Sequence, residues 1–133
     1  MTAKQLKSTP DNFAAFGIAQ AYQVDNLIFM SGQIAWTLEG EVVGVGDMGA
    51  QARQAMDNIS AVLADGGSDM TKIVKMTVYV TDMALSQDAM AAINSYFDAP
   101  PPAVTLVQVV ALAMPEIMIE IDAIATTDSP RTA

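Results

Sequence analysis

The sequence predicts an α+β domain, a mixed sheet packed by two helices on one face and by another subunit on the other. Three observations predict it. One segment, residues 52–63, carries a helical apolar stripe; four others are β-branched and alternate or are continuously apolar; and the chain holds more apolar residues than one small domain needs, with 52% of its 133 residues hydrophobic. No apolar run reaches the roughly 18 residues of a membrane helix. The surplus is therefore expected at an interface between copies, since obligate interfaces resemble a core cut in half.

The first dozen residues read as an irregular lead-in, with Pro10-Asp11-Asn12 as turn chemistry. Residues 19–24 and 27–35 read as two strands joined by Asp25-Asn26, a pair that tolerates positive φ. Residues 38–43 alternate around Glu39-Gly40 and form a short strand or hairpin arm. Asp47 then caps a helix that Gly66-Gly67 ends. Between them Ala52, Ala55, Met56, Ile59, Val62 and Leu63 make one stripe.

Residues 73–81 read as a strand with Val74, Met76, Val78 and Val80 on its apolar side and Lys75, Thr77 and Tyr79 on the other. A second helix follows, capped by Ser86, with Met90, Ile93 and Phe97 inward and Pro100-Pro101-Pro102 as its stop. Residues 103–111 and 117–126 are the last strands, joined through Met114-Pro115-Glu116. With no repeat, linker or low-complexity tract, residues 1–133 are expected to form one domain.

Composition excludes several chemistries. The chain has no Cys and no His, which removes disulfides, thiol nucleophiles, imidazole bases and the usual zinc ligands. No Asp-rich loop has the spacing of a calcium site, and neither a metal nor a cofactor is expected. The six cations are Lys4, Lys7, Arg53, Lys72, Lys75 and Arg131, against a formal net charge of −9. That balance suits solubility and makes nucleic acid a poor electrostatic partner. The segment from Met1 to Lys7 has no apolar run of the signal-peptide kind, so a cytoplasmic location without membrane association is expected.

Four segments, in order, resemble the Rid (reactive intermediate deaminase, YjgF-like) family. Met30-Ser31-Gly32-Gln33-Ile34 is similar to its Ser-Gly-Gln-Ile signature, and residues 50–59, AQARQAMDNI, to its first-helix motif. Residues 75–83, KMTVYVTDM, resemble its central strand, and residues 119–125, IEIDAIA, its closing strand. The match runs from about Gly17 to Ala125. It implies a chorismate-mutase-like fold, a homotrimer with a central barrel of sheets, and three inter-subunit clefts. It also implies hydrolysis of 2-imino and enamino acids to keto acids and ammonia.

The clamp residues of the deaminating members are changed. Those members carry an Arg in a Pro-Ala-Arg-Ser setting that holds a substrate carboxylate by its bidentate fork. Here the run is Pro102-Ala103-Val104-Thr105-Leu106, with Val104 at the Arg position. Burying a carboxylate against Val would cost several kcal/mol, roughly 2–7 or more. Ile18 matches a family Tyr and Met90 an Asn of the second helix, so the cleft becomes more apolar.

Glu120 matches the family's water-directing Glu, and apolar neighbours would raise its pKa toward a value useful for proton transfer. A polar residue at a subunit boundary would account for it equally well. Ser31 lacks a partner base and is not a nucleophile; its hydroxyl or the Gly32 amide is expected to bind a substrate oxygen. Thr105 offers a hydroxyl beside the lost Arg, with Leu106 next along the strand. Trp36 either lines the cleft mouth or covers core. Arg53 is expected in a helix-surface ion pair rather than at an anion site. The expectation is a hydrolase of imines or enamines of a small, relatively apolar metabolite, with Glu120 catalytic and Ile18, Ser31, Gly32, Trp36, Met90, Val104, Thr105 and Leu106 lining the site. The alternative is a non-catalytic trimer that captures a metabolite or binds a partner. Ribonuclease activity, known among relatives, fits poorly with the charge.

Overall fold

A computed structural model describes residues 2–133; Met1 lies outside the described residues. Among them are seven strands and two α-helices. The order is β1 (Ala3–Leu6), β2 (Ala21–Val24), β3 (Leu27–Met30), β4 (Gln33–Ile34), α1 (Met48–Asp65), β5 (Ile73–Val80), α2 (Ser86–Asn94), β6 (Ala103–Gln108) and β7 (Ile119–Thr126). The sheet runs β1-β2-β3-β7-β5-β6, with β4 also paired to β7. It is mixed: β5 and β6 are parallel and every other paired set is antiparallel. None of the described helices is long and apolar enough to cross a membrane.

Both helices pack on one face. The α1 stripe of Ala52, Ala55, Met56, Ile59, Val62 and Leu63 is buried against Ile28, Met76, Val78, Ile119 and Ile121 from the sheet. Asp47 caps α1 by accepting from the Ala50 amide at 3.0 Å, and Gly66 ends it, both as expected. Alternation along β7 sends Ile119, Ile121, Ala123 and Ala125 into this core and turns Glu120, Asp122 and Ile124 to the open face. On that open face Tyr22, Leu27 and Phe29 remain 43%, 38% and 45% exposed.

Several expectations need correction. The N-terminal segment is not wholly irregular: β1 pairs with β2, but only Leu6 of its four residues is buried, so no alternating apolar signal marks it. The 27–35 strand is broken. From Phe29 to Gln33 is four steps and from their β7 partners Ile124 to Ile121 is three, so Met30-Ser31-Gly32 carries one extra residue. Val74 is 40% exposed and Ile73 is buried in its place, because the register shifts between Ile73 and Lys75. Ser86 is the first residue of α2 rather than its cap; the preceding short turn is capped by Asp82, which accepts from the Ala84 amide at 3.0 Å. Residues 38–43 are the hairpin arm rather than a strand: the Trp36–Val42 bridge is antiparallel, with the Thr37 amide donating to the Glu41 carbonyl and the Val43 amide to the Ala35 carbonyl. The 103–111 strand is also shorter than expected, and the Asp25-Asn26 turn is present, with Asp25 at φ 52°.

Candidate functional site

Glu120 is half-buried at the wall of a cavity of about 280 Å³, completed by Phe13, Phe16, Ile18, Gly32, Ile34, Trp36, Ala113 and Met114. Its position follows from β7: it stands on the open face, between Ile34 of β4 and Tyr79 of β5. Burial pushes the Glu120 carboxyl above the ordinary glutamate value of 4.5, and the negative charge of Asp122 pushes it the same way. Tyr79 donates its hydroxyl to Asp122 at 3.0 Å. Burial, and then the Asp122 carboxylate, raise the Tyr79 phenol as well. Two carboxyls and a phenol thus share the face, with one carboxyl turned to an apolar wall.

The strand break makes room for that carboxyl. A Cβ on Gly32 would stand 2.6 Å from Cδ of Glu120, inside any allowed contact. Gly32 is needed for close approach, not for an unusual backbone angle. Ser31 secures the break by donating its amide to the Gln20 carbonyl at 2.9 Å and its hydroxyl to the Ala19 carbonyl at 2.7 Å.

The aromatic wall comes from the segment before β2. Phe13 and Phe16 flank Trp36, with ring centroids 5.7 and 5.6 Å away at interplanar angles of 59° and 33°. Buried Gln20 ties this segment down, donating to Ser8 Oγ at 3.0 Å and to Asn12 Oδ1 at 2.8 Å; Asn12 in turn donates to the Thr37 carbonyl at 3.0 Å. The Trp36 indole N–H is shut off from solvent and has no hydrogen-bond partner, so packing alone holds the ring.

The structure brings Ile18, Gly32, Trp36 and Glu120 to one cavity. It does not bring the others there within one chain. Met90 packs half-buried against the main core from α2. Val104, Thr105 and Leu106 lie on the edge strand β6, with β5 between them and β7. Val104 and Leu106 share the helix-side face of Met76 and Val78, whereas Thr105 shares the open face and accepts from Lys75 Nζ. Arg53 lines a separate open groove between α1 and α2, with Asp47 and Asp88.

Sequence reasoning missed the braces behind the cavity. Gln51 is fully buried; it donates to the Glu116 carbonyl and accepts from the Met118 amide, both at 2.8 Å. Asn58 donates to the carbonyls of Ile34 at 3.1 Å and Trp36 at 2.8 Å. Both amides sit at i and i+7 within the α1 stripe, and polar residues on an apolar face are the signal that would have found them. Phe13 and Phe16 were missed because they fall between the lead-in, residues 1–12, and the strand expected from residue 19, in a stretch with no periodic signal.

Residues 8–127 match the family described as Endoribonuclease L-PSP. The chain is 33% identical to the Reactive Intermediate Deaminase A, chloroplastic, of Arabidopsis thaliana over 124 residues, 92% of this chain and 66% of that one. It is 33% identical over 123 residues to the 2-iminobutanoate/2-iminopropanoate deaminase of Mus musculus, covering 92% and 90%. The crystal structure of the YjgF gene product from E. coli superposes with a TM-score of 0.84 at 32% identity, covering 94% of this chain and 99% of that one. The fold, two helices on a mixed sheet, is the YjgF-like fold that the sequence implied.

Proposed function

The chain belongs to the Endoribonuclease L-PSP (YjgF/RutC/Rid) family, whose members include reactive intermediate deaminases, and on that premise we propose that it hydrolyses an imine or enamine of a small, relatively apolar metabolite. The observation that carries this reading is Glu120, the one ionisable side chain lining an otherwise apolar cavity, its carboxyl raised by burial.

In the proposed step Glu120 takes a proton from water as the water oxygen bonds to the imine carbon. That proton passes to the nitrogen to give a carbinolamine; Glu120 then carries the hydroxyl proton to the nitrogen as the C–N bond breaks, so ammonia leaves and the carbonyl compound forms. The carboxyl ends as it began. A group whose pKa lies nearer neutrality serves both transfers better than an ordinary carboxylate. An enamine enters the same route once protonated at carbon.

The working unit is proposed to be a trimer with the site in a cleft between copies. Exposed Tyr22, Leu27 and Phe29 on the open face support it, as does β6, an edge strand exposed from Ala103 to Thr105. In such a cleft Val104, Thr105, Leu106 and Met90 would come from one copy, and Ser31, beside Gly32, from the copy that supplies Glu120. Val104 then removes the carboxylate clamp of the deaminating members. That same change favours a second reading, capture of a metabolite without turnover. RNA cleavage is disfavoured by the formal net charge of −9.

Ammonia release from freshly generated imines, with Glu120→Gln as control, tests the hydrolase reading. Acceleration that Glu120→Gln abolishes supports it. No acceleration over the spontaneous rate leaves metabolite capture as the reading, and acceleration that survives the substitution removes Glu120 from the mechanism.

A further inference from the structure

The segment that follows β7 crosses one end of the sheet. Because β5 and β6 are parallel and β7 runs against β3 and β5, the end of β7 lies beside the starts of β3 and β5, and β6 starts at the same end. Asp128 accepts from Asn26 Nδ2 at 2.7 Å, at the turn leading into β3, and the Arg131 amide donates to the Thr71 carbonyl at 2.9 Å, just before β5. The Arg131 side chain then reaches the two parallel strands together. Its Nη1 donates to the carbonyls of Met70 at 2.8 Å and Ile73 at 2.9 Å, and its Nε donates to the Pro100 carbonyl at 2.7 Å. The Phe97 ring, in the connection from α2 to β6, stacks on the guanidinium with its centroid 5.1 Å from Cζ.

Pro100, Pro101 and Pro102 have no N–H to donate, so carbonyls and packing must fasten the approach to β6. β6 itself is an edge strand paired to β5, and Ala103, Val104 and Thr105 at its start are exposed. We propose that residues 127–131 are a strap with Arg131 as its latch, a conformational device that keeps the start of β6 seated on β5. With the latch in place Val104, Thr105 and Leu106 are presented in one position. With it released, β6 frays from its start while the rest of the sheet stays paired. The guanidinium suits the task because its nitrogens diverge in a plane and serve both strand starts at once, which the single nitrogen of a lysine does not do. Since those three side chains belong to the proposed inter-subunit cleft, the latch also governs assembly; that consequence alone rests on the trimer reading.

The test follows amide hydrogen exchange by mass spectrometry on the full chain, in peptides covering β3, β6 and β7. Arg131→Gln removes bonds made by a charged donor. It is expected to speed the slowly exchanging amides of Ala103–Gln108 at least about tenfold, with β3 and β7 within about twofold of native. Arg131→Lys keeps the charge beside Phe97 and is expected to give the same loss. Phe97→Leu leaves the three carbonyl bonds and is expected to speed β6 roughly threefold; it carries the test where Arg131→Gln does not fold. Unchanged β6 exchange overturns the strap, as does an equal rise in β3 and β7. Full protection in Arg131→Lys overturns the role given to the guanidinium fork. Sedimentation of native protein and Arg131→Gln separates the two readings, with the variant expected to dissociate at least about tenfold more readily. Faster β6 exchange with a native mass of one chain sinks the trimer reading alone. A native mass of three chains with β6 exchange unmoved sinks this inference alone.

Discussion

The Glu120 carboxyl lies against the α-carbon of Gly32, so closely that a methyl group there would come within 2.6 Å of Cδ and 2.7 Å of Cγ. Gly32→Ala must displace the Glu120 side chain. Because the atoms met belong to a flexible, half-buried side chain that can swing aside, the cost should be about 1 kcal/mol, the low end for overpacking. The double substitution Gly32→Ala, Glu120→Ala removes the clash and should regain most of that loss, a coupling visible in a double-mutant cycle by denaturant unfolding. Equal costs for Gly32→Ala with and without Glu120 would contradict the contact.

Stability should depend on pH through Glu120 in a stated direction. Its folded pKa is raised, by burial first and Asp122 second, so the ionised form is the disfavoured one in the fold. The stabilisation this represents is present below the ordinary value of 4.5 and lost as pH rises through the folded pKa. Glu120→Gln should therefore melt higher than the native chain at neutral pH, with the gap closing as pH falls below 4.5. Scanning calorimetry across that range checks it, and a gap that widens on acidification would reverse the assignment.

Asp122 is the second cause of that shift, and Asp122→Asn keeps its size while removing its charge. The Glu120 pKa should fall, and the pH midpoint of the native-minus-Glu120→Gln stability difference should move to lower pH. Tyr79→Phe should cost about 1 kcal/mol, the net worth of its bond to Asp122. A midpoint that Asp122→Asn leaves in place would show that burial acts alone.

Behind the cavity, Gln51→Leu strands the Glu116 carbonyl and the Met118 amide at once. Each buried group left unpaired costs about 1–3 kcal/mol, so the variant should lose at least about 2 kcal/mol in urea unfolding. Because these bonds hold the start of β7 and the loop carrying Met114, any imine hydrolysis that depends on Glu120 should weaken in the same variant.

The proposed trimer predicts a sedimentation mass of about 42 kDa for the 14.0 kDa chain. Phe29→Glu, on the open face, should lower that mass toward one chain. A native mass of one chain, or an unchanged mass in the variant, would place the open face elsewhere in the protein's life.

The elements with strong periodicity were legible in the sequence. The α1 stripe from Ala52 to Leu63 and both of its end signals are in place, and β7 alternates as read, with Glu120 opposite Ile119 and Ile121. What was hidden depends on tertiary pairing. β1 buries one side chain of four, and the β5 bulge that exchanges Val74 for Ile73 leaves no mark in composition. Of the candidate site, Ile18, Gly32, Trp36 and Glu120 converge in one chain, while residues 104–106 stand two strands from Glu120 at the sheet edge. Sequence could not reveal that Phe13 and Phe16 wall the cavity, because the network of Gln20, Ser8 and Asn12 that seats them joins residues with no common periodicity.

The most direct test of the central claim is ammonia release from freshly generated 2-iminopropionate, 2-aminoacrylate and a bulky apolar imine, with native protein and Glu120→Gln. The account predicts acceleration of the apolar imine above both carboxylates, lowered at least about tenfold by Glu120→Gln. Equal acceleration of the carboxylate substrates, or none of any substrate above the spontaneous rate, would contradict it.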